Sequence, residues 1–433
     1  MNICIISYHS CPFSPLGLES AGGMNVYIRE LSFALSNFPN IKIDIFTRIQ
    51  HKDLKGIKNI SDKIRIIHLK GGPECFINKK NLYHYIEEFG ENLINFILTN
   101  KLKYEIIYTH YWLSGLIGKR IKNKFNLPLI HNYHTLAFMK NKLTRGKYKE
   151  NPNRLNAERF LFHVSDGIII SSQNEKENIL KEYKIPCWKL RIIYPGVNQN
   201  IFYPVNKSVA RKKLGLHSND KIILYVGRIE PVKGLFTIVE ALEILKRNKN
   251  SLYNHLKLVV VGGGNKALDF QKNREILRIM NFIKEKNIFE KVVFFGSKEQ
   301  NLLRNYYSAS DVLIVPSLYE SFGLVTIESL ACGTPVIVSR TGEMAKIIHE
   351  NKNGFHFSPN NPLSLANAIL RFFKNRESLW KKEEIRENII KKFSWKKTAE
   401  ETFDFLKKIL EIHKFKKEEV TTRFQYDENL LLI

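Results

Sequence analysis

Residues 310–334 read Ser-Asp-Val-Leu-Ile-Val-Pro-Ser-Leu-Tyr-Glu-Ser-Phe-Gly-Leu-Val-Thr-Ile-Glu-Ser-Leu-Ala-Cys-Gly-Thr. Val312 to Val315 is a short apolar run of the kind that forms a parallel strand buried on both faces. Pro316 and Ser317 end it, Leu324 to Ala331 reads as a helix, and Gly333 is its stop signal. A strand–loop–helix of this kind leaves free backbone N–H groups at the helix start, past the carboxyl end of a sheet, where an anionic or polyhydroxylated ligand can sit. Glu320 in the loop and Glu328 about one turn into the helix bracket that place. Each carboxylate can accept two hydroxyl hydrogens, as a vicinal diol on a sugar or ribose would offer. An ordinary βαβ unit with one solvated and one capping glutamate has the same pattern.

Outward from this stretch, strands and helical patterns alternate. In the N-terminal half the expected strands are Ile3–Tyr8, Ile41–Thr47, Ile64–Leu69, Ile106–Thr109, Leu129–Tyr133, Gly167–Ser171 and Arg191–Tyr194. Helical patterns such as Val26–Leu35 and Tyr83–Leu98 fall between them, which argues for a mostly parallel sheet covered on both faces. The turn-rich Tyr194-Pro195-Gly196-Val197 closes this half, and residues near 198–215 read as a linker. A second series follows at Ile222–Val226, Leu258–Val261, Val292–Phe295, Val312–Val315 and Val336–Val338, repeating the architecture but not the sequence. Ser394 to Leu410 has helical periodicity.

A chain of 433 residues with 44% hydrophobic residues is long enough for two domains with separate cores. No apolar run approaches the length needed to cross a bilayer, and the first residues read as a strand, not a signal peptide. The five cysteines, Cys4, Cys11, Cys75, Cys187 and Cys332, form no CxxC pair, which points to reduced thiols in the cytoplasm and no zinc. The net charge of +26 has three readings. Nucleic-acid binding would need clustered basic residues with a reader motif, and none is present. Attraction to an anionic substrate or membrane surface is one alternative. A bias toward Lys, Asn and Ile along the whole chain is the other.

Four further segments carry chemistry. His9 follows the first strand, and Gly22-Gly23 precedes a helix, where two glycines let the backbone approach a phosphate. Tyr108-Thr109-His110-Tyr111-Trp112 and Asn132-Tyr133-His134-Thr135-Leu136 lie at strand ends; alone, they read equally as core aromatics and a structural histidine. Gly227-Arg228-Ile229-Glu230-Pro231-Val232-Lys233-Gly234 puts an arginine and a lysine five apart after a strand, a pair that can neutralise a diphosphate. Val261-Gly262-Gly263-Gly264 lacks the GxGxxG spacing, so an NAD fingerprint is not supported.

The pair Glu320 and Glu328, seven residues between them and Ser-Phe-Gly after the first, resembles the donor-site signature of family 4 retaining glycosyltransferases. The segment Gly22-Gly23-Met24-Asn25-Val26-Tyr27 resembles that of the inositol-phosphate N-acetylglucosaminyltransferases, and sucrose-phosphate synthases have a related Gly-Gly segment. The resemblance implies an α/β GT-B fold of two Rossmann-like domains facing a cleft. Residues 1–200 would form the acceptor domain, 208–392 the nucleotide-sugar domain, and 393–413 a helix returning to the first. It implies a UDP-linked sugar donor, no required cofactor and no metal.

By the same resemblance, His134, Arg228, Lys233 and Glu320 take part in catalysis. Gly23, Lys298, Phe322, Gly323, Leu324 and Glu328 join Arg228, Lys233 and Glu320 in holding the donor. His9, Gly22, Asn25, Lys79, Tyr111, Thr135 and Arg154 face the acceptor. The last four match phosphate-contacting positions, so the expected acceptor is a phosphorylated polyol or sugar such as inositol phosphate or a hexose phosphate. A nucleotide-sugar epimerase of the same fold, and a lipid or polysaccharide acceptor, are the alternatives. Peripheral association with the inner face of an anionic membrane and a homodimer stay open. Where many relatives have Gly-Gly-Leu-Pro-Glu, this chain has Gly342-Glu343-Met344-Ala345-Lys346, a departure that bears on the identity of the sugar.

Overall fold

The computed structural model describes residues 1–14, 22–144, 149–264 and 273–430, with side chains through 418. Ser20 and Ala21, next to the glycine pair, lie outside the described residues. Two sheets carry the fold. The first contains β1 (Asn2–Ile6), β2 (Lys42–Arg48), β3 (Gly56–Ser61), β4 (Ile64–Leu69), β5 (Ile106–His110), β6 (Leu129–Asn132), β7 (Gly167–Ile170) and β8 (Leu190–Ile192). The second contains β9 (Lys221–Val226), β10 (Leu256–Val261), β11 (Val292–Gly296), β12 (Val312–Val315), β13 (Val336–Ser339) and β14 (Gly354–Phe357).

Their orders are β3-β4-β2-β1-β5-β6-β7-β8 and β11-β10-β9-β12-β13-β14. Every pairing is parallel except β3 with β4. Central strands such as β12 are buried along their whole length, as continuous Val/Ile/Leu runs require. In each sheet the chain winds outward from its first strand and then restarts on that strand's other side, between β1 and β5 and between β9 and β12. Ligands bind outside the carboxyl ends of strands at such switch points. His9 and Tyr111 follow β1 and β5; Arg228 and Glu320 follow β9 and β12.

The chain crosses between the domains twice, and the two crossings lie side by side. Val197 N–H donates to the Phe393 carbonyl at 3.2 Å, and the Thr398 hydroxyl donates to the Tyr194 carbonyl at 2.8 Å. The helix Trp395–Leu430 then packs into the first domain, with Trp395, Phe405, Leu406 and Ile409 in one apolar cluster with Ile3, Ile5 and Tyr27. This is the GT-B arrangement.

Four local expectations are corrected. The stretch read as a linker contains a helix, Lys207–Leu214, started by the Asn206 side chain accepting from Ser208 N–H at 3.0 Å and stopped by Gly215 at φ +66°. Its many cations hid its periodicity, although both cap residues are standard signals. The polar edge strand β3 and the short β14 went unread, because partner strands and not their own alternation define them. The last helix continues past Leu410 to Leu430. Among the described residues no helix is long and apolar enough to cross a membrane.

Candidate active site in the interdomain cleft

On the donor side, the helix Leu324–Ala331 begins directly after Gly323, which is at φ +90°. Phe322 turns inward onto Tyr194 and Phe393, with ring centroids 5.7 and 5.5 Å away, so its contribution to the cleft is backbone. Lys233 donates to a Glu320 carboxylate oxygen at 2.5 Å, joining the loops after β9 and β12. Arg228 is exposed and pairs with Glu230 at 2.7 Å. Two glycines let these loops meet. At Gly234 (φ +73°) a Cβ would lie 2.2 Å from the Pro316 carbonyl oxygen, and at Gly342 (φ +65°) 2.4 Å from that of Glu320.

Glu328 is only 6% exposed. It accepts from the Tyr307 hydroxyl at 2.8 Å and from the Gln300 amide at 3.3 Å. Burial outweighs these bonds and pushes its carboxyl up to about 7. Arg29 of the helix Gly23–Ser36 reaches across to Gln300 and so ties this carboxylate to the first domain. Lys298 is half-buried at the carboxyl end of β11. Glu343, in the departing loop, does not face the donor loop's opening. It accepts from Gln173 N–H at 3.1 Å and from the Tyr194 hydroxyl at 3.0 Å, both of the first domain.

On the acceptor side, Arg154 is 5% exposed and donates to Glu158 at 2.7 Å, to Glu150 at 3.1 Å, and to the Thr135 carbonyl and hydroxyl at 2.8 and 3.0 Å. Its guanidinium also lies 4.9 Å from the centre of the Tyr111 ring, a cation–π contact. Tyr111 sits at φ +72°, ψ +152°, a region otherwise reserved for glycine that costs about 1–3 kcal/mol. Its ring packs on His9, centroids 4.6 Å apart. His9 is 9% exposed, and its Nδ1 has no partner among the described residues. Burial first, then the cation Lys79, holds the His9 ring neutral, down to about 3.

Lys79 is exposed. Desolvation, then Arg228 and Arg154, lower its ammonium from the ordinary value. Lys79, two arginines and the carboxylates Glu230 and Glu150, from both domains, therefore act on one another. His134, at φ +57°, has its Nε2 2.9 Å from His110 Nδ1, and burial keeps it neutral, down to about 3. Gly23 brings the two sides together: a Cβ there would lie 3.5 Å from Leu324 Cδ1. Gly22 is the extended residue before the helix, its N–H donating to Asn25 Oδ1 at 3.3 Å. Asn25 is fully buried behind the cleft wall, its amide spent on the Ser10 hydroxyl and the Cys11 carbonyl at 2.8 and 2.7 Å.

Residues 206–392 match the family described as Glycosyl transferases group 1, and residues 21–200 that described as Glycosyltransferase Family 4. A D-inositol 3-phosphate glycosyltransferase of Thermobispora bispora is 30% identical over 401 residues, 92% of each chain. The chain belongs to the family 4 glycosyltransferases. The corresponding enzyme of Corynebacterium jeikeium is 29% identical over 92% of this chain and 95% of its own. The solved sucrose-phosphate synthase of Thermosynechococcus elongatus is 32% identical, with a TM-score of 0.85 over 95% of this chain and 99% of that one. Anabaena HepE, solved with UDP and glucose, shares the fold at 16% identity, with a TM-score of 0.72 over 94% of this chain and 100% of that one.

Several residues of this glycosyltransferase cleft carried little or no signal in the sequence. Gln300 and Tyr307 lie on a helix 21 or more residues before Glu328, and only packing puts them against it. Glu150 and Glu158 stand four residues to either side of Arg154, a helical spacing that could have marked them as its partners. His110 was visible beside Tyr111 but had no spacing that tied it to His134.

Proposed function

We propose that this glycosyltransferase moves a hexosyl group, with retention, from a UDP-sugar to a hydroxyl of a phosphorylated polyol or sugar. Residues 1–200 hold the acceptor, 208–392 the donor, and 393–413 return to the first domain. The observation that carries the acceptor class is Lys79. Desolvation, Arg228 and Arg154 oppose its charge while Glu230 and Glu150 favour it, and it has no hydrogen-bond partner among the described residues, which leaves the ammonium free to donate to an acceptor phosphate. Both an inositol-phosphate glycosyltransferase and a sucrose-phosphate synthase among the similar proteins carry phosphate in their names. The HepE complexes with UDP and UDP-glucose support the choice of nucleotide.

In this reading the bond from the anomeric carbon to the leaving phosphate oxygen breaks as the acceptor oxygen bonds to the same face. The acceptor proton passes to that phosphate oxygen. Arg228 and Lys233 stabilise the charge growing on the diphosphate. Lys233 then exchanges Glu320 for phosphate, which frees Glu320 and the amides of Phe322, Gly323 and Leu324 for the donor sugar. Glu328 holds the ribose, with Lys298 at the base pocket. His134 is neutral with one nitrogen committed to His110, so it orients the reacting sugar and carries no charge. His9 Nδ1 and the Gly22 backbone face the acceptor, and Gly23 lies at the donor.

The test is UDP release with D-inositol 3-phosphate, a hexose phosphate and their unphosphorylated forms. A preference of roughly 10²-fold or more for the phosphorylated form is expected, since two strong contacts are at stake at about 1.4 kcal/mol per tenfold. Equal use of both forms would leave a lipid or polysaccharide acceptor as the better reading, and sugar conversion without acceptor would indicate an epimerase.

A further inference from the structure

One contact between the two domains is made by a residue outside both ligand sets. Tyr319 belongs to the second domain by sequence but is 5% exposed inside the apolar cluster of the first, with Tyr133, Leu136 and Ile170. Its hydroxyl accepts from Leu136 N–H at 3.0 Å and donates to Glu175 Oε1 at 3.2 Å. The Ser321 hydroxyl lies 3.1 Å from it. The other Glu175 oxygen accepts from Ser171 N–H at 3.2 Å, and Glu175 is itself 4% exposed. Leu136 follows His134 and Thr135 directly, while Tyr319 precedes Glu320 directly. The phenol therefore stands between the loop that faces the acceptor and the loop that faces the donor. Leu318 N–H donates to the Val232 carbonyl at 2.8 Å, which ties the same strut to the Lys233 loop.

We propose that Tyr319 is a positioning residue: its hydroxyl, braced by Glu175, sets the His134–Leu136 loop against the Glu320–Leu324 loop, so that a donor-domain side chain determines how the acceptor is held. The proposal rests on the assignment of the His134–Thr135 loop to the acceptor. Buried polar groups are expensive to leave unpaired, and loss of the phenol hydroxyl leaves the Leu136 N–H without a partner and removes one of the bonds that hold Glu175, which also has Ser171 and Ser321. The ring is retained in Tyr319→Phe, so the apolar packing is kept.

Wild-type enzyme is measured first, for UDP affinity by calorimetry without acceptor and for acceptor-dependent UDP release with D-inositol 3-phosphate or the hexose phosphate that works. Failure at this stage would fall on the functional reading and not on Tyr319. In Tyr319→Phe the acceptor kcat/KM falls roughly 10- to 100-fold, the effect of one buried unpaired group at tenfold per 1.4 kcal/mol. UDP affinity stays within about twofold. Glu175→Leu reproduces the same selective loss from the other side of the contact and decides the matter if the first variant folds poorly. A merely structural role would loosen Glu320, Ser321 and Phe322 together and weaken UDP as much as acceptor. That result, or an unchanged acceptor kcat/KM in both variants, overturns the proposal.

Discussion

Lys79→Ala separates ligand recognition from stability better than any other change in the cleft. Lys79 has no hydrogen bond to protein among the described residues; desolvation, Arg228 and Arg154 disfavour its charge, and Glu230 and Glu150 offset part of that. Removing it breaks no hydrogen bond, and the relief from Arg228 and Arg154 offsets the lost attraction to Glu230 and Glu150, so the melting temperature should change little. Arg154→Ala would not be clean. It would strip the partner from Glu158, which is 1% exposed, and breaking such a buried pair costs about 3–5 kcal/mol. A hydrogen bond from an ammonium to a phosphate is worth about 1.5–3 kcal/mol, or roughly 10- to 100-fold at about 1.4 kcal/mol per tenfold. The expected result is a fall of that size in kcat/KM for the phosphorylated acceptor, with no loss for its unphosphorylated form and no change in UDP affinity. The assay is UDP release with the acceptor pair, alongside a thermal melt. If Lys79→Ala keeps the full preference for the phosphorylated form, the cation cluster does not read the acceptor phosphate. If it unfolds the protein, the description of Lys79 as an unpaired cation is wrong.

Three other outcomes follow from named contacts. Lys233→Ala should lower kcat by about 10²-fold or more, as loss of a preorganised group at a developing charge does, and single-turnover rates would show it. Burial raises the Glu328 carboxyl to about 7, above its unfolded value, so its protonated form favours the fold below about pH 4.5 and that contribution is gone by pH 7. The proposed ribose contact by this carboxylate predicts that UDP affinity weakens as pH falls through 7, and that calorimetry on Glu328→Gln finds no such pH step. At Tyr111, the glycine-only backbone predicts that Tyr111→Gly is more stable than Tyr111→Ala by about 1 kcal/mol or more, although alanine is normally the better residue; urea titration of the two variants measures the difference.

Much of the fold was legible because it is written in local chemistry. Strands β4 and β12 begin and end at the residues that alternation and apolar runs indicate, and the helix Leu324–Ala331 starts and stops where its loop and Gly333 say. The loops after β1, β5, β9 and β12 could be singled out because parallel sheets place ligands at strand ends. The polar β3 and the cation-rich helix Lys207–Leu214 escaped, since neither displays its own apolar face clearly. The sequence alone determined which residues have the chemistry for a nucleotide-sugar site: a carboxylate pair, an arginine and lysine, glycines before helices. Only the tertiary structure decided how they are used. It turned Asn25 and Glu343 toward structural bonds, set His134 against His110, left Lys79 without a hydrogen bond among the described residues, with two arginines and two glutamates acting on it, and seated Tyr319 in the other domain's core. The physical reason is that hydrogen bonding and charge at these positions depend on partners from 14 to more than 180 residues away, and local periodicity carries no information about who those partners are.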